Sequence, residues 1–268
     1  MSARVTGARL RLLANELRPR YTAPLPHLAR ARLLSGGQLD RLMSEPGLSP
    51  ETVGRVRRRI MAKLAGLGLV AMLGHRVGGV RAGSAGHVYA LTTAGHRFLA
   101  LLGGEPSPGR IRHASTPGPS FLAHALTISG IYVDLVEQSR GGGFQMAHFA
   151  TEPHCWHPTG NGSYLRPDAY VILKTATHAD YWWLEVDQDT ESPPRLRAKA
   201  RAYRQFLTSG GVGPHGYPPH VLITTPDTER ANTITRAITN PADDDGAALT
   251  VTTHHHAAQF MTTELDQP

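Results

Sequence analysis

The chain has 268 residues and carries 28 Lys and Arg against 21 Asp and Glu, for a formal net charge of +7. That length suits two domains better than one small core, and the single cysteine, Cys155, excludes an intramolecular disulfide and points to a reducing, cytoplasmic setting. The apolar stretch around 61–73 is broken by Lys63 and falls short of the roughly 20 residues that span a bilayer, and the N-terminus has no signal-peptide pattern, so membrane insertion is not expected.

In chain order, RLRLLANEL and PHLARARLL place leucines at near-helical spacing and predict a first pair of helices. SGGQLDRLM reads as a short helix behind a glycine turn. SPETVGRVRRRIMAKLAGLG then opens with Ser49 as N-cap and Pro50 at the first helical position. In this helix Val53, Val56, Ile60, Leu64 and Leu67 form the apolar stripe, leaving Arg55, Arg58 and Arg59 on the open side with Arg57 and Lys63 at its edges. LVAMLGHRVGGVRAGSAGHVYALT predicts a hairpin with a glycine-rich tip carrying Arg76 and Arg81, and TTAGHRFLALLG a closing helix. Short helix, basic helix and hairpin make a winged helix-turn-helix. In that fold the basic helix enters a DNA groove and the hairpin tip touches the backbone.

The segment 104–120 is rich in Gly, Pro and Ser and is the expected linker between a domain at 1–103 and a second at 121–268. Residues 1–120 carry 18 basic against 5 acidic residues, and residues 121–268 carry 10 against 16, leaving +13 and −6. A basic half joined to an acidic half suits a DNA-binding module attached to an unrelated domain, because phosphates are neutralised mainly by Lys and Arg.

The second half begins with an amphipathic helix, FLAHALTISGIYVDLVEQS. The strands FQMAHFAT, DAYVILK and DYWWLEVD follow, then a helix from Ser192 and Pro193, the strand HVLITT, a helix from Thr228, and ALTVTT. The predicted class is therefore α+β with two domains, the second with the αβββαβ order of a restriction-endonuclease-like, PD-(D/E)xK core. Pro167-Asp168 supplies the first acid and Glu185, near the end of the next strand, the second. Hard oxygen ligands on neighbouring strands suit Mg²⁺ or Mn²⁺ and the hydrolysis of a phosphodiester. Glu152, at the end of the first strand, is a further candidate ligand.

The lysine position two residues after Glu185 holds Asp187, which deepens the negative field and joins the candidate ligands. Lys199, in the following helix one turn from Tyr203, is the candidate replacement as a catalytic cation, with Tyr203 in support. A lysine lying along the surface above a core tyrosine is the bland alternative. Asp189 and Glu191 read equally well as acids favouring a helix N-terminus capped by Ser192. AGSAG at 82–86, the run His154-Cys155-Trp156-His157, His124 and His254-His255-His256 carry weaker catalytic or metal readings, because strand-to-helix context or a paired second half is absent.

Taken together, the basic helix, Gly86-His87-x-Tyr89-x-Leu91-Thr92-x-x-Gly95, Leu165-Arg166-Pro167-Asp168, Leu184-Glu185-Val186-Asp187 and the Lys199/Tyr203 helix resemble the replication-relaxation family over about residues 25–240. That family is similar to MobC-type relaxases of plasmids and mobile elements. The resemblance implies binding to double-stranded DNA at a plasmid or transfer origin, contact with other transfer or replication proteins, and an aspartate in the lysine position. Two functional classes follow: a metal-dependent nickase or relaxase, and a non-catalytic DNA-binding replication, transfer or regulatory factor with a degenerate nuclease domain.

Overall fold

Helices start where the sequence supplies a cap. Thr6 accepts a hydrogen bond from Arg9 N ahead of α1 (Gly7–Glu16), and prolines occupy the first turns of α2 (Pro19–Thr22) and α3 (Pro24–Ala31). The computed structural model describes residues 5–76, 86–103, 118–239 and 249–265. The protein is α+β and divides into two units, Met1–Ser129 and Gly130–Pro268.

In the first unit β1 (Leu34–Ser35) leads into α4 (Gly36–Leu42) through a reciprocal cap. Ser35 Oγ accepts from Gln38 N at 3.2 Å while Ser35 N donates to Gln38 Oε1 at 2.9 Å. The long basic helix, α5 (Pro50–Gly66), begins as its sequence predicts, with Ser49 Oγ accepting from Thr52 N at 3.3 Å. β2 (Val70–Arg76) and β3 (His87–Leu91) follow, then α6 (Thr93–Gly103). The sheet is antiparallel in the order β1-β3-β2, with Tyr89 of β3 opposite both Leu34 and Met72. Residues 77–85, which include Arg81 and most of the 82–86 glycine-serine run, lie outside the described residues, and of Arg76 only its place at the end of β2 is described.

Packing in this unit is leucine-dominated. Leu25, Leu28, Leu39, Ile60, Leu64 and Phe98 are fully buried, each contributing about 1.5–3 kcal/mol relative to exposure. Thr92 and Gly95 close the hairpin onto α6. Thr92 Oγ1 donates to Gly68 O at 2.6 Å and accepts from Gly95 N at 3.0 Å, and a Cβ on Gly95 would lie 2.1 Å from Leu69 O. Only glycine permits that approach.

The buried stripe of α5 differs from the expected one. Val53, Gly54, Arg57, Ile60, Met61 and Leu64 face inward, whereas Val56 and Leu67 are only half-buried. Arg57 is 1% exposed and its Nε donates to Asp40 Oδ1 at 2.8 Å, so an acid on α4 draws this arginine into the core. Its expected place among the DNA contacts is corrected accordingly.

α7 (Pro119–Ser139) carries the division between the units. Leu122, Ala125 and Leu126 pack with Leu33, Leu73, Val88 and Ala90 of the first unit, and Ser129 Oγ donates to Ala31 O and Leu33 O. In the second unit Ile131, Tyr132, Val133 and Leu135 are buried, with Tyr132 edge-on to Phe149. The division falls downstream of the stretch 104–120 expected as the linker, of which 104–117 lie outside the described residues. By length and a mean hydropathy of 1.3, α7 is also the one helix among the described residues apolar enough to cross a membrane, and its buried positions account for that composition as core packing.

The second unit is built on β4 (Gln145–Thr151), β5 (His157–Pro158), β6 (Tyr164–Leu165), β7 (Ala169–Lys174), β8 (Ala179–Val186), α8 (Pro193–Thr208), β9 (His220–Thr225), α9 (Thr228–Ile238), β10 (Leu249–Thr253) and α10 (Ala257–Leu265). Five strands pair in the order β10-β9-β8-β7-β4. β4, β7 and β8 run antiparallel, and β8, β9 and β10 run parallel. β7 is buried at every residue but Lys174, the pattern of a strand covered on both faces. On one face Tyr203 of α8 joins Cys155, Leu165, Tyr170, Ile172, Trp183 and Val221 in a single cluster. The element order is that expected from the sequence, with two additions: the small β5–β6 pair and the C-terminal α10.

Candidate functional site

The register of β7 against β8 sets the site. Ala169 pairs with Leu184, so Asp168, one residue before β7, faces Glu185 across the strand boundary. The backbone locks both acids in place: Asp168 N donates to Leu184 O at 2.9 Å, and Val186 N donates to Asp168 Oδ2 at 2.7 Å. Glu185 is 3% exposed, and burying such a charge demands compensation. α8 supplies it. Lys199 Nζ donates to Glu185 Oε2 at 2.9 Å, and the Tyr203 hydroxyl donates to Oε1 through a short hydrogen bond. The four-residue spacing of Lys199 and Tyr203 puts both on one helix face, which is how one helix serves both oxygens. Lys199 Nζ also donates to Glu191 Oε1 at 2.9 Å.

These contacts fix the protonation tendencies. Burial raises Asp168 to about 8, the Glu185 charge adds to the rise, and the Val186 N–H and Lys199 oppose it. Burial likewise raises Glu185 above the usual carboxylate range, against the pull of Lys199 and the Tyr203 hydroxyl. Burial works against the Lys199 ammonium, but Glu185 and Glu191 outweigh it and its pKa is raised. Tyr203 is held well above the usual phenol value by burial and by Glu185, so it remains a donor.

Asp187 stands apart from this group. Its two oxygens accept from Arg230, Nε to Oδ2 at 2.7 Å and Nη2 to Oδ1 at 3.1 Å, a two-point pairing that engages both. Arg230 also holds Glu191 O at 2.6 Å and Asp189 Oδ1 at 3.1 Å, so it clamps the turn 187–191, where Asp189 adopts φ 60°. Asp189 and Glu191, just before α8, also have ionic partners, and Ser192 caps α8 by position without a side-chain hydrogen bond. Glu152 N donates to Asp168 O at 3.3 Å, and the Glu152 charge bears on Asp168.

Among the described residues no three His, Cys, Asp or Glu side chains converge as a metal-holding group. Asp168 and Glu185 form a facing pair of carboxylates at the strand boundary. Two carboxylates pushed toward protonation by burial suit a hard divalent cation, since Mg²⁺ commonly takes one or two carboxylates and keeps several waters. Asp187, a candidate ligand alongside Glu152, has both oxygens paired with Arg230.

Several of the weaker candidates make structural contacts. Cys155 Sγ donates to Pro167 O at 2.9 Å, and burial pushes its thiol up to about 12, which favours the protonated form. His157 lies against Trp183 and Phe206. His254 shares a hydrogen bond with Thr224 Oγ1, and His256 one with Thr253 Oγ1.

In the first unit the outer face of α5 presents Arg55, Arg58, Arg59 and Lys63, all exposed or partly so. Lys63 Nζ sits 4.6 Å from the centroid of the Tyr21 ring, and the Arg20 guanidinium 5.0 Å from it. Glu191 reads from the sequence only as an acid before a helix, and Asp40 and Arg230 have no signal there, because their partners lie 17 and 43 residues away and no local spacing marks such a pair.

A model described as replication-relaxation matches residues 25–221, which include Asp168, Glu185, Lys199 and Tyr203 and end short of Arg230. No curated protein matches the chain.

Proposed function

Because the chain belongs to the replication-relaxation family, we propose that it binds the DNA of a plasmid or mobile element in the cytoplasm and nicks it at a replication or transfer origin with the help of Mg²⁺ or Mn²⁺. The first unit is the DNA-binding part, a winged helix whose groove-entering helix is α5. The second is a PD-(D/E)xK-like core whose working residues are Asp168, Glu185 and Lys199, with Tyr203 in support. Other transfer or replication proteins are the natural partners of such a complex.

One observation carries this reading: Lys199 Nζ lies 2.9 Å from Glu185 at the end of the strand that pairs with Asp168. The lysine absent two residues after Glu185 is replaced, from the next helix, by one aimed at the same carboxylate. A cation of this kind stabilises charge developing on a phosphodiester or orients the attacking water. The bound divalent ion would polarise the phosphate and lower the pKa of a water. Asp168 and Glu185 would hold that ion, Tyr203 fixes the Glu185 rotamer by its hydrogen bond, and Glu191 keeps Lys199 charged and extended.

A second reading, a non-catalytic DNA-binding factor, is favoured by one feature. Both Glu185 oxygens already accept hydrogen bonds, which is also what a retired site would do to neutralise a buried acid. Calorimetric titration with Mn²⁺ separates the two. The nickase reading expects binding by wild type that Asp168→Ala abolishes, and a wild type that binds no Mn²⁺ even with its origin DNA present supports the second.

A further inference from the structure

We infer that the finger formed by β5 and β6 is a contact surface for single-stranded nucleic acid, with Trp156 and Tyr164 stacking on unpaired bases and Arg166 pairing with a backbone phosphate beside Asp168. The inference rests on the reading of Asp168 and Glu185 as a DNA-nicking pair, and it adds the form of substrate that reaches them.

The finger grows directly out of the acid end of the sheet. Glu152 N bonds Asp168 O at its root, and Arg166 precedes Asp168 by two residues. Pairing of His157 with Leu165 and of Pro158 with Tyr164 gives it the alternation of an antiparallel ribbon. Cys155 and Leu165 face the core cluster of Tyr170, Trp183 and Tyr203, and the His157 ring rests on Trp183. The other face is outward: Trp156 is 37% and Tyr164 55% exposed, and Pro158 and Arg166 are exposed with them.

That outer face is pre-organised. Its tip turns through Gly160 and Gly162, at φ 83° and 87°, and Asn161 Oδ1 accepts from Thr159 Oγ1 at 2.6 Å and from Ser163 N at 3.1 Å. The Arg166 guanidinium lies 4.9 Å from the Trp156 ring centroid. Stacking holds a guanidinium in one orientation and leaves its N–H edge for a planar or tetrahedral anion, which a lysine would not do.

Two exposed aromatics and a stacked arginine on a rigid ribbon next to a buried pair of acids match the chemistry of a single strand. Every base has a π face, but in a duplex those faces are covered by neighbouring bases, so stacking selects the unpaired state. Arg166, two residues before Asp168, adds a second positive charge to that of Lys199 near the acids.

The chain's own fluorescence reports on this surface, because Trp182 and Trp183 are buried and Trp156 is the exposed tryptophan. The test uses the full chain without divalent ions and a 12-mer of thymidylate, with a duplex of equal length in parallel. Wild type should show quenching of Trp156 on binding the single strand. Trp156→Ala should weaken that binding by roughly fivefold to a hundredfold, the range for losing one stacked base. Arg166→Ala should weaken it and flatten its salt dependence, and Trp156→Phe should retain most of it. Duplex affinity should be unchanged in all three, and their melting temperatures should match wild type because the replaced side chains are exposed. Single-strand affinity that is equal in wild type, Trp156→Ala and Arg166→Ala overturns the inference, as does a parallel loss of duplex affinity. If wild type does not nick yet its single-strand binding depends on Trp156, the finger stands and the nickase reading alone falls.

Discussion

Lys199 and Glu185 are joined at 2.9 Å across the gap between α8 and β8, and the carboxylate that Lys199 shares with Tyr203 is almost wholly buried. The ammonium is about one-third exposed while the acid is not, so the pair is anchored on the Glu185 side. The relationship brings a cation from α8 to the acids, while position 187, two residues after Glu185, holds an aspartate.

Lys199→Ala leaves Glu185 buried with one partner removed. Because Lys199 is partly exposed, water recovers part of the interaction, and the expected destabilisation is about 1–3 kcal/mol in chemical denaturation. Nicking should fall by about a hundredfold or more, the scale for losing one charge-stabilising group near a transition state. Lys199→Arg should recover more stability than rate.

Arg57 and its neighbours on α5 should separate cleanly. Arg57→Ala removes a buried side chain and leaves Asp40 without its partner, at a cost of roughly 2 kcal/mol or more in stability. Alanine at Arg55, Arg58 and Arg59 together, all exposed, should cost less stability than Arg57→Ala but weaken duplex binding. Its salt dependence should flatten by roughly 0.9 in the slope of log K on log salt for each phosphate that is no longer neutralised.

Asp187→Lys would recreate the familiar motif spacing, yet the structure sets it against function. Asp187 and Arg230 form a nearly buried two-point pair, and a lysine there would face the guanidinium with like charge. Loss of about 3–5 kcal/mol is expected from breaking such a pair. The melting temperature of the variant measures this, and Asp187→Asn should fall between it and wild type.

The pH dependence of the metal-free protein follows from Asp168. Its folded pKa, raised to about 8, lies above its ordinary value near 3.8, so the native state holds a proton that the unfolded chain releases. The stability from this group is complete below pH 4 and is lost as pH rises toward 8. Asp168→Asn should remove that slope, so its melting temperature should exceed that of wild type at pH 8 but not at pH 4. Each recovered kcal/mol is worth about 2–4 °C in a chain of this size.

What was legible in the sequence was local. Ser49-Pro50 marked the start of α5, leucine spacing marked the helices of the first unit, and the order of strands and helices around Asp168 and Glu185 was readable because period-2 and period-3.6 patterns are carried by neighbouring residues. The shared face of Lys199 and Tyr203, from which both reach Glu185, is legible because a four-residue spacing defines a helix face. Arg57 was misread for the opposite reason. Helical phase gave it an edge position, and only Asp40 on another helix draws it inward. The pairing of Asp187 with Arg230 is not legible because the two lie 43 residues apart. The β5–β6 finger was missed because two-residue strands separated by glycines give no periodic signal.

The most direct test of the nicking centre is conversion of supercoiled plasmid carrying the cognate origin to the open circular form. Wild type, Asp168→Ala and Glu185→Ala are compared with Mn²⁺ and with a chelator. The expected result is nicking by wild type in Mn²⁺ only, none by either variant, and duplex affinity within about twofold across all three, since binding is assigned to α5. Nicking that persists in Asp168→Ala and Glu185→Ala, or a wild type that binds its origin but leaves it supercoiled in Mn²⁺, would contradict the assignment of these acids as a catalytic pair.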